Sequence, residues 1–234
     1  MIMKWPTKKT GRQTYGEEIA NAISHGLMVF FGIFILVFFI IQTNKKSPSD
    51  VPIVLIFSIS VILLYLASTL NHSLSFTKAH KFFQKSDHIS IYVLIWGTFA
   101  PILLLLKGLQ GPSLVSEIIP YLTKGRLIFV CQCLLVLLGI VGKIFWFEKW
   151  EHLHLTLFLL FGWSGLLFVK ELFQPGNELF FLFIFLGGCF YSVGVYFFVK
   201  DYKKYFHFIW HLFVILGTTF HALGIFYMLN SLNK

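Results

Sequence analysis

The feature that most limits what this chain can become is a series of seven apolar stretches, each close to the length of a membrane-spanning helix and separated by short charged gaps. They fall at approximately residues 19–41, 51–72, 87–106, 126–147, 152–169, 179–199 and 205–229. A helix rises ~1.5 Å per residue, so about 20 apolar residues cross ~30 Å of hydrocarbon. Composition agrees: 57% of the residues are hydrophobic and 12% are charged, and a soluble domain carries about twice that charge to solvate its surface. A soluble enzyme, a disordered chain and a fibre are thereby excluded. The expected fold is all-α, a polytopic seven-helix transmembrane bundle, with a short segment at 1–18 and a single membrane domain over 19–233.

Several local features refine that reading. Lys143 interrupts the fourth stretch and is expected to snorkel to the headgroups. Pro101 is expected to kink the third helix, which a bundle tolerates when neighbours satisfy the freed carbonyl. The first stretch follows Lys4, Lys8, Lys9 and Arg12 as a signal peptide would, but Glu17 and Glu18 intervene and Thr43-Asn44-Lys45-Lys46 offers no small-residue cleavage site. Cys131, Cys133 and Cys189 lie within apolar stretches without C-x-x-C spacing, so no disulfide framework or thiolate zinc site is expected. Gly162, Gly165, Gly187, Gly188 and Gly194 are assigned to close helix approach.

The formal net charge is +9, from 19 Lys+Arg against 10 Asp+Glu. These cations occupy the short gaps, with no RNA-binding signature, so they orient helices and face membrane lipids; nucleic acid is not an expected partner. Seven spans put the termini on opposite sides. The N-terminal side collects 12 Lys and Arg and the other side 7, so the positive-inside rule places the N-terminus in the cytoplasm and the C-terminus outside.

Polar residues inside a membrane are costly and point to function. His72 ends the second stretch, Asp87 and His88 open the third, His152 and His154 the fifth, and His207 and His211 the seventh, while His25 lies early in the first. In an alternating topology all of them fall near one leaflet. His207-Phe-Ile-Trp-His211 places two imidazoles one turn apart on one face, as in zinc-binding H-E-x-x-H helices. Alone, that pattern also describes an interfacial helix end. His72 supplies a third imidazole at the same depth, and three protein ligands with an open position is the usual catalytic zinc arrangement.

Asp87 can then be a fourth ligand, a partner to a ligand, a base that holds a water, or simply an acid at a helix start. Ser68, one turn before His72, is either a small packing residue or a hydrogen-bond donor to the site. Glu18, Asn21 and His25 form one stripe on the first helix, directed into the bundle as structural hydrogen bonders or as supports of the ligands. His152 and His154 read as solvated interfacial residues, and His221, about 21 Å beyond His207, as a satisfied buried imidazole.

At these residues the chain resembles the hemolysin III family, within the progestin and adiponectin receptor-like group of seven-helix membrane proteins. The likeness rests on Glu18-Ile-Ala-Asn21-Ala-Ile-Ser-His25-Gly, Ser68-Thr-Leu-Asn-His72, Lys85-Ser-Asp87-His88 and His207-Phe-Ile-Trp-His211 with His221. It implies a zinc ion (Zn2+) on His72, His207 and His211, with Asp87 positioning a water on that ion and Ser68 close by. It also implies a bacterial plasma or inner membrane location. For activity it implies three readings: a zinc-dependent lipid amide or ester hydrolase, ceramidase-like, serving membrane homeostasis; a receptor or membrane-state sensor with structural zinc; and a hemolysin-type channel or cytolysin. Against the last, seven nearly continuous spans leave no soluble secreted form, and the acidic residues sit near helix ends rather than in a row across the membrane.

The charge asymmetry yields a topology test. An alkaline phosphatase fused after Lys234 is expected to be active because it lies outside; an inactive fusion would reverse the orientation.

Overall fold

A computed structural model describes residues 13–146 and 151–231, the side chains at 151 and 152 excepted. Lys4, Lys8, Lys9, Arg12, Lys149, Lys234 and the His152 side chain therefore lie outside the described residues. The helices are α1 (Tyr15–Asn44), α2 (Val51–Ser73, entered by a 3-10 turn at Pro48–Asp50), α3 (His80–Leu105), α4 (Lys124–Phe145), α5 (Glu151–Gly162), α6 (Val169–Leu172), α7 (Glu178–Val199) and α8 (Phe206–Ser231). A 3-10 segment, Trp163–Phe168, joins α5 to α6, and the three make one span. Among the described residues seven segments are long and apolar enough to cross a membrane. The protein is thus an all-α, multi-pass membrane protein.

The distribution of polarity shows which solvent the bundle meets. On α1 the buried face carries Glu17, Glu18, Asn21 and His25, while Ile19, Ile23, Leu27 and Phe30 are 58–72% exposed. In water this arrangement would be inverted. In hydrocarbon it is the favourable one, because polar groups find partners only inside. The rest of α1's inner face is Met28, Gly32, Ile35 and Phe39, which continue as an apolar core with Phe57 and Val61 of α2 and Ile225 of α8. In packing order, α2 lies between α1 and α3, α4 lies on α3, and α8 pairs with α7 and closes back against α1. An ion pair between Lys124 and Glu171 ties α4 to α6.

The structure departs from the sequence reading at four places. α1 starts a turn before Ile19, because Thr14 caps it in a reciprocal box with Glu17. α3 starts at His80, so Asp87 and His88 stand two turns inside a helix rather than at its opening, and Asp87 is not an acid complementing a helix start. Lys81 and Lys85 in its first two turns conceal that start from any search for uncharged stretches. Lys143 does not snorkel: it is 1% exposed, with Nζ 3.2 Å from His88 Nδ1. His154 is not solvated but 2% exposed, its Nδ1 2.7 Å from the Tyr92 hydroxyl. α3 also runs through Pro101 for another turn before ending.

Of the glycines assigned to close approach, Gly187 and Gly194 meet neighbouring rings, whereas Gly162 faces open space. α2 approaches α3 closely at Gly97, where a Cβ would stand 2.1 Å from Ser60 Oγ and 3.1 Å from the Ile56 carbonyl oxygen. Gly97→Val should therefore force the helices apart and cost about 1–3 kcal/mol. Thermal unfolding in detergent checks this, with Gly111→Val, which meets nothing within 4 Å, expected to leave the transition unmoved.

Candidate metal centre

Three imidazoles meet where α2 and α8 come together near one end of the bundle. His72 stands in the last turn of α2, and His207 and His211 occupy the first turns of α8. One nitrogen from each lies within 4.8 Å of the others. His72 and His211 are buried and His207 is half-buried. The ring centroids stand 5.1 Å apart for His72 and His207, and 4.9 Å for both pairs that include His211.

Hydrogen bonds fix which nitrogens face inward. Glu18 Oε2 lies 2.6 Å from His72 Nδ1; paired with an ionised Glu18, which only accepts, Nδ1 carries the proton and Nε2 the lone pair. That Nε2 is buried without a hydrogen-bond partner among the described residues. The Ser24 hydroxyl donates its one proton to the Asn21 carbonyl at 2.9 Å and also lies 3.2 Å from His211 Nδ1. His211 must then donate to Ser24, which again leaves the lone pair on Nε2. Asp201 Oδ2 stands 3.8 Å from His207 Nδ1. An oxygen is thus bonded at Nδ1 of His72 and of His211, the arrangement in which metal-ligating histidines have their tautomer and orientation set by a second partner, whereas the Asp201 contact to His207 is too long for a hydrogen bond. A flat stack of His25 on His211, 3.6 Å between centroids and 7° between planes, braces that ring, and Tyr65 meets His25 edge-on at 4.9 Å.

These features fit a metal ion. Three neutral imidazoles converge, and a buried lone pair with no donor is costly unless something accepts it. Nitrogen donors of this kind suit zinc and other late first-row ions.

Asp87 is not part of the closely spaced group. Its Oδ2 accepts from Asn71 Nδ2 at 2.9 Å, and the Ser68 hydroxyl faces the same carboxyl. Ser68, Asn71 and His72 lie within one turn of α2, so a single helix carries one candidate ligand and both groups that hold Asp87. His154 sits elsewhere, with Tyr92, and His221 lies far along α8.

Glu17 and Ser24 escaped the sequence reading. Glu17 is fully buried; its Oε2 accepts from the Thr14 backbone N–H at 2.9 Å and its Oε1 from the Tyr205 backbone N–H at 2.6 Å. Tyr205 adopts a left-handed φ of 62° immediately before α8. Glu17 therefore anchors the start of the helix that carries His207 and His211. The spacing Thr14-x-x-Glu17 is a capping-box signature and was readable as such.

Because Glu18 sets the His72 tautomer, Glu18→Ala should lower metal affinity about 10–100-fold. Tyr92→Phe, which removes a hydroxyl bonded to His154 rather than to the cluster, should not change it. Titration of metal-free protein with zinc against a competing chelator measures both.

The chain is similar to known proteins over most of its length. A family model described as "Haemolysin-III related" matches residues 13–222. The Hemolysin-3 homolog of Bacillus subtilis (strain 168) is 40% identical over 195 residues, 83% of this chain and 85% of that protein. Hemolysin-3 of Bacillus cereus is 34% identical over 205 residues, 86% of this chain and 87% of its own. With a match across nearly the whole bundle, the chain belongs to the haemolysin-III-related family of membrane proteins.

Proposed function

We propose that the protein is a zinc-dependent hydrolase of lipid amides or esters, working at the leaflet surface of the membrane in which it is embedded. The observation that carries this reading is that an apolar cavity runs within about one helical turn of the histidine cluster. Leu64, Ile91 and Val214 line that cavity one turn from Ser68, Asp87 and His211 respectively. From Trp210 to His221 the cavity follows α8 for about 16 Å. Hydrocarbon can lie in the cavity while a carbonyl at its head reaches the imidazoles.

His72, His207 and His211 would hold the ion, which when bound supplies Lewis acidity toward a carbonyl and makes a water acidic near neutral pH. The chain's own residues do the rest. Asn71 and Ser68 orient the Asp87 carboxyl, leaving Asp87 Oδ1 to take a proton from the attacking water and return it to the departing nitrogen or oxygen. Once Asp87 holds that proton, the Ser68 hydroxyl is released to turn toward an oxygen that gains negative charge. The apolar walls exclude bulk water and strengthen both interactions. With the N-terminus in the cytoplasm, the centre faces the inner leaflet.

Ligands drawn from both α2 and α8 would equally pin those helices together in a sensor with structural metal, and substitution at Asp87 separates the two readings. The cytolytic activity in the names of the Bacillus relatives finds less support here, since the outer face of the bundle is an apolar surface for lipid. Asp87→Asn is nearly isosteric and cannot take the proton. It should retain zinc while release of fatty acid from short-chain lipid amides and esters falls about 10²–10⁴-fold. Zinc loss in that variant, or no turnover by the wild type on any of these lipids, would overturn the hydrolase.

A further inference from the structure

The cavity's lining is mostly apolar, and the His221 ring forms part of it, about three turns along α8 from the histidine cluster. That ring is pressed against α7. Its Nε2 is 3.2 Å from the Ile184 carbonyl oxygen, and a Cβ at Gly187 would stand 2.2 Å from its Cδ2, so only glycine admits it. A carbonyl can only accept, hence Nε2 bears the ring's proton and Nδ1 its lone pair. Nδ1 is buried and has no hydrogen-bond partner among the described residues.

The neighbouring polar groups do not supply the missing donor. Thr218 Oγ1 is bonded to the Tyr65 hydroxyl at 2.8 Å and the Tyr191 hydroxyl at 2.7 Å. Thr219 donates to the Ile215 carbonyl at 2.8 Å and Ser192 to the Gly188 carbonyl at 2.8 Å. Trp163 Nε1 donates to Ser192 Oγ at 2.8 Å, and Thr98 to the Leu94 carbonyl at 2.8 Å. Each hydroxyl at this level of the cavity has a partner, while the His221 acceptor has a fixed tautomer and none. An acceptor held this way inside hydrocarbon is stabilised when the cavity's occupant brings a donor.

We propose that the cavity takes an acyl chain bearing a hydroxyl group along its length, and that His221 Nδ1 accepts the hydrogen bond from that hydroxyl. His211 and His221 are ten residues apart on one continuous helix, or about 15 Å. The hydroxyl therefore belongs at mid-chain rather than beside the carbonyl. This rests on the cavity being an acyl-chain site, as argued above, and adds the residue that selects among chains. A site that hydrogen-bonds a ligand group discriminates against the analogue lacking it more strongly than an apolar pocket does against one methylene.

The test is equilibrium binding of stearic acid, its mid-chain hydroxy derivative and its 2-hydroxy derivative to the full-length protein in detergent. Wild type is expected to hold the mid-chain hydroxy acid about tenfold more tightly than stearic acid, with no advantage for the 2-hydroxy acid. His221→Leu should abolish the preference and keep the affinity for stearic acid; His221→Gln, whose amide oxygen can accept, should retain part of the preference. The wild-type comparison needs no variant, so poor folding of either substitution leaves the result decisive. Equal binding of all three acids would overturn the role of His221 while leaving the acyl site standing. Binding of none would overturn both.

Discussion

Hydrocarbon on the outside is the constraint from which the rest of this structure follows. A polar group in a spanning helix has no water to fall back on, so each one must turn inward and be matched by another. On α1 this draws Glu17, Glu18, Ser24 and His25 into the contact with α2 and α8, and each takes on a positional task there. Glu17 holds the backbone at Tyr205, Glu18 holds His72, Ser24 holds His211, and His25 stacks on His211. The first helix contributes no ligand to the candidate centre, yet it fixes the rotation of two ligand rings and the start of the helix bearing two of them.

The same constraint builds a second polar cluster around α3. Asp87 faces α2 through Asn71 and Ser68, while the next residue, His88, meets Lys143 of α4. One turn further on, Tyr92 meets His154 of α5. Adjacent helical residues point about 100° apart, so one short stretch of α3 serves both sides of the bundle. These contacts hold α4 and α5 against the helices that carry the metal centre and border the cavity below it.

Much of this was legible in the sequence because a membrane simplifies the code. Seven apolar stretches became seven spans, and alternation alone brought His72, His207 and His211 to one level before any coordinates did. The rest was obscured for identifiable reasons. A search for uncharged residues trims helix ends, which hid the first turns of α1 and α3 and left Asp87 at a supposed helix start. Lys143 and His154 resemble interfacial residues in sequence; only the packing of α3 against α4 and α5 shows that they are buried. The pairing of Glu18 with His72 joins residues 54 positions apart, which no local pattern encodes. Residue type suggested the orphan lone pair of His221 even less, since its tautomer depends on a carbonyl of a neighbouring helix.

The central claim is that His72, His207 and His211 present nitrogen lone pairs toward one ion, with oxygens bonded at the opposite nitrogens of His72 and His211. X-ray absorption at the zinc K-edge of protein purified without chelators reads that arrangement directly. Three imidazole nitrogens at about 2.0–2.1 Å, completed by a light oxygen-type neighbour and free of sulfur, are expected. A protein that purifies without a transition metal, or a zinc shell containing thiolate, would contradict it.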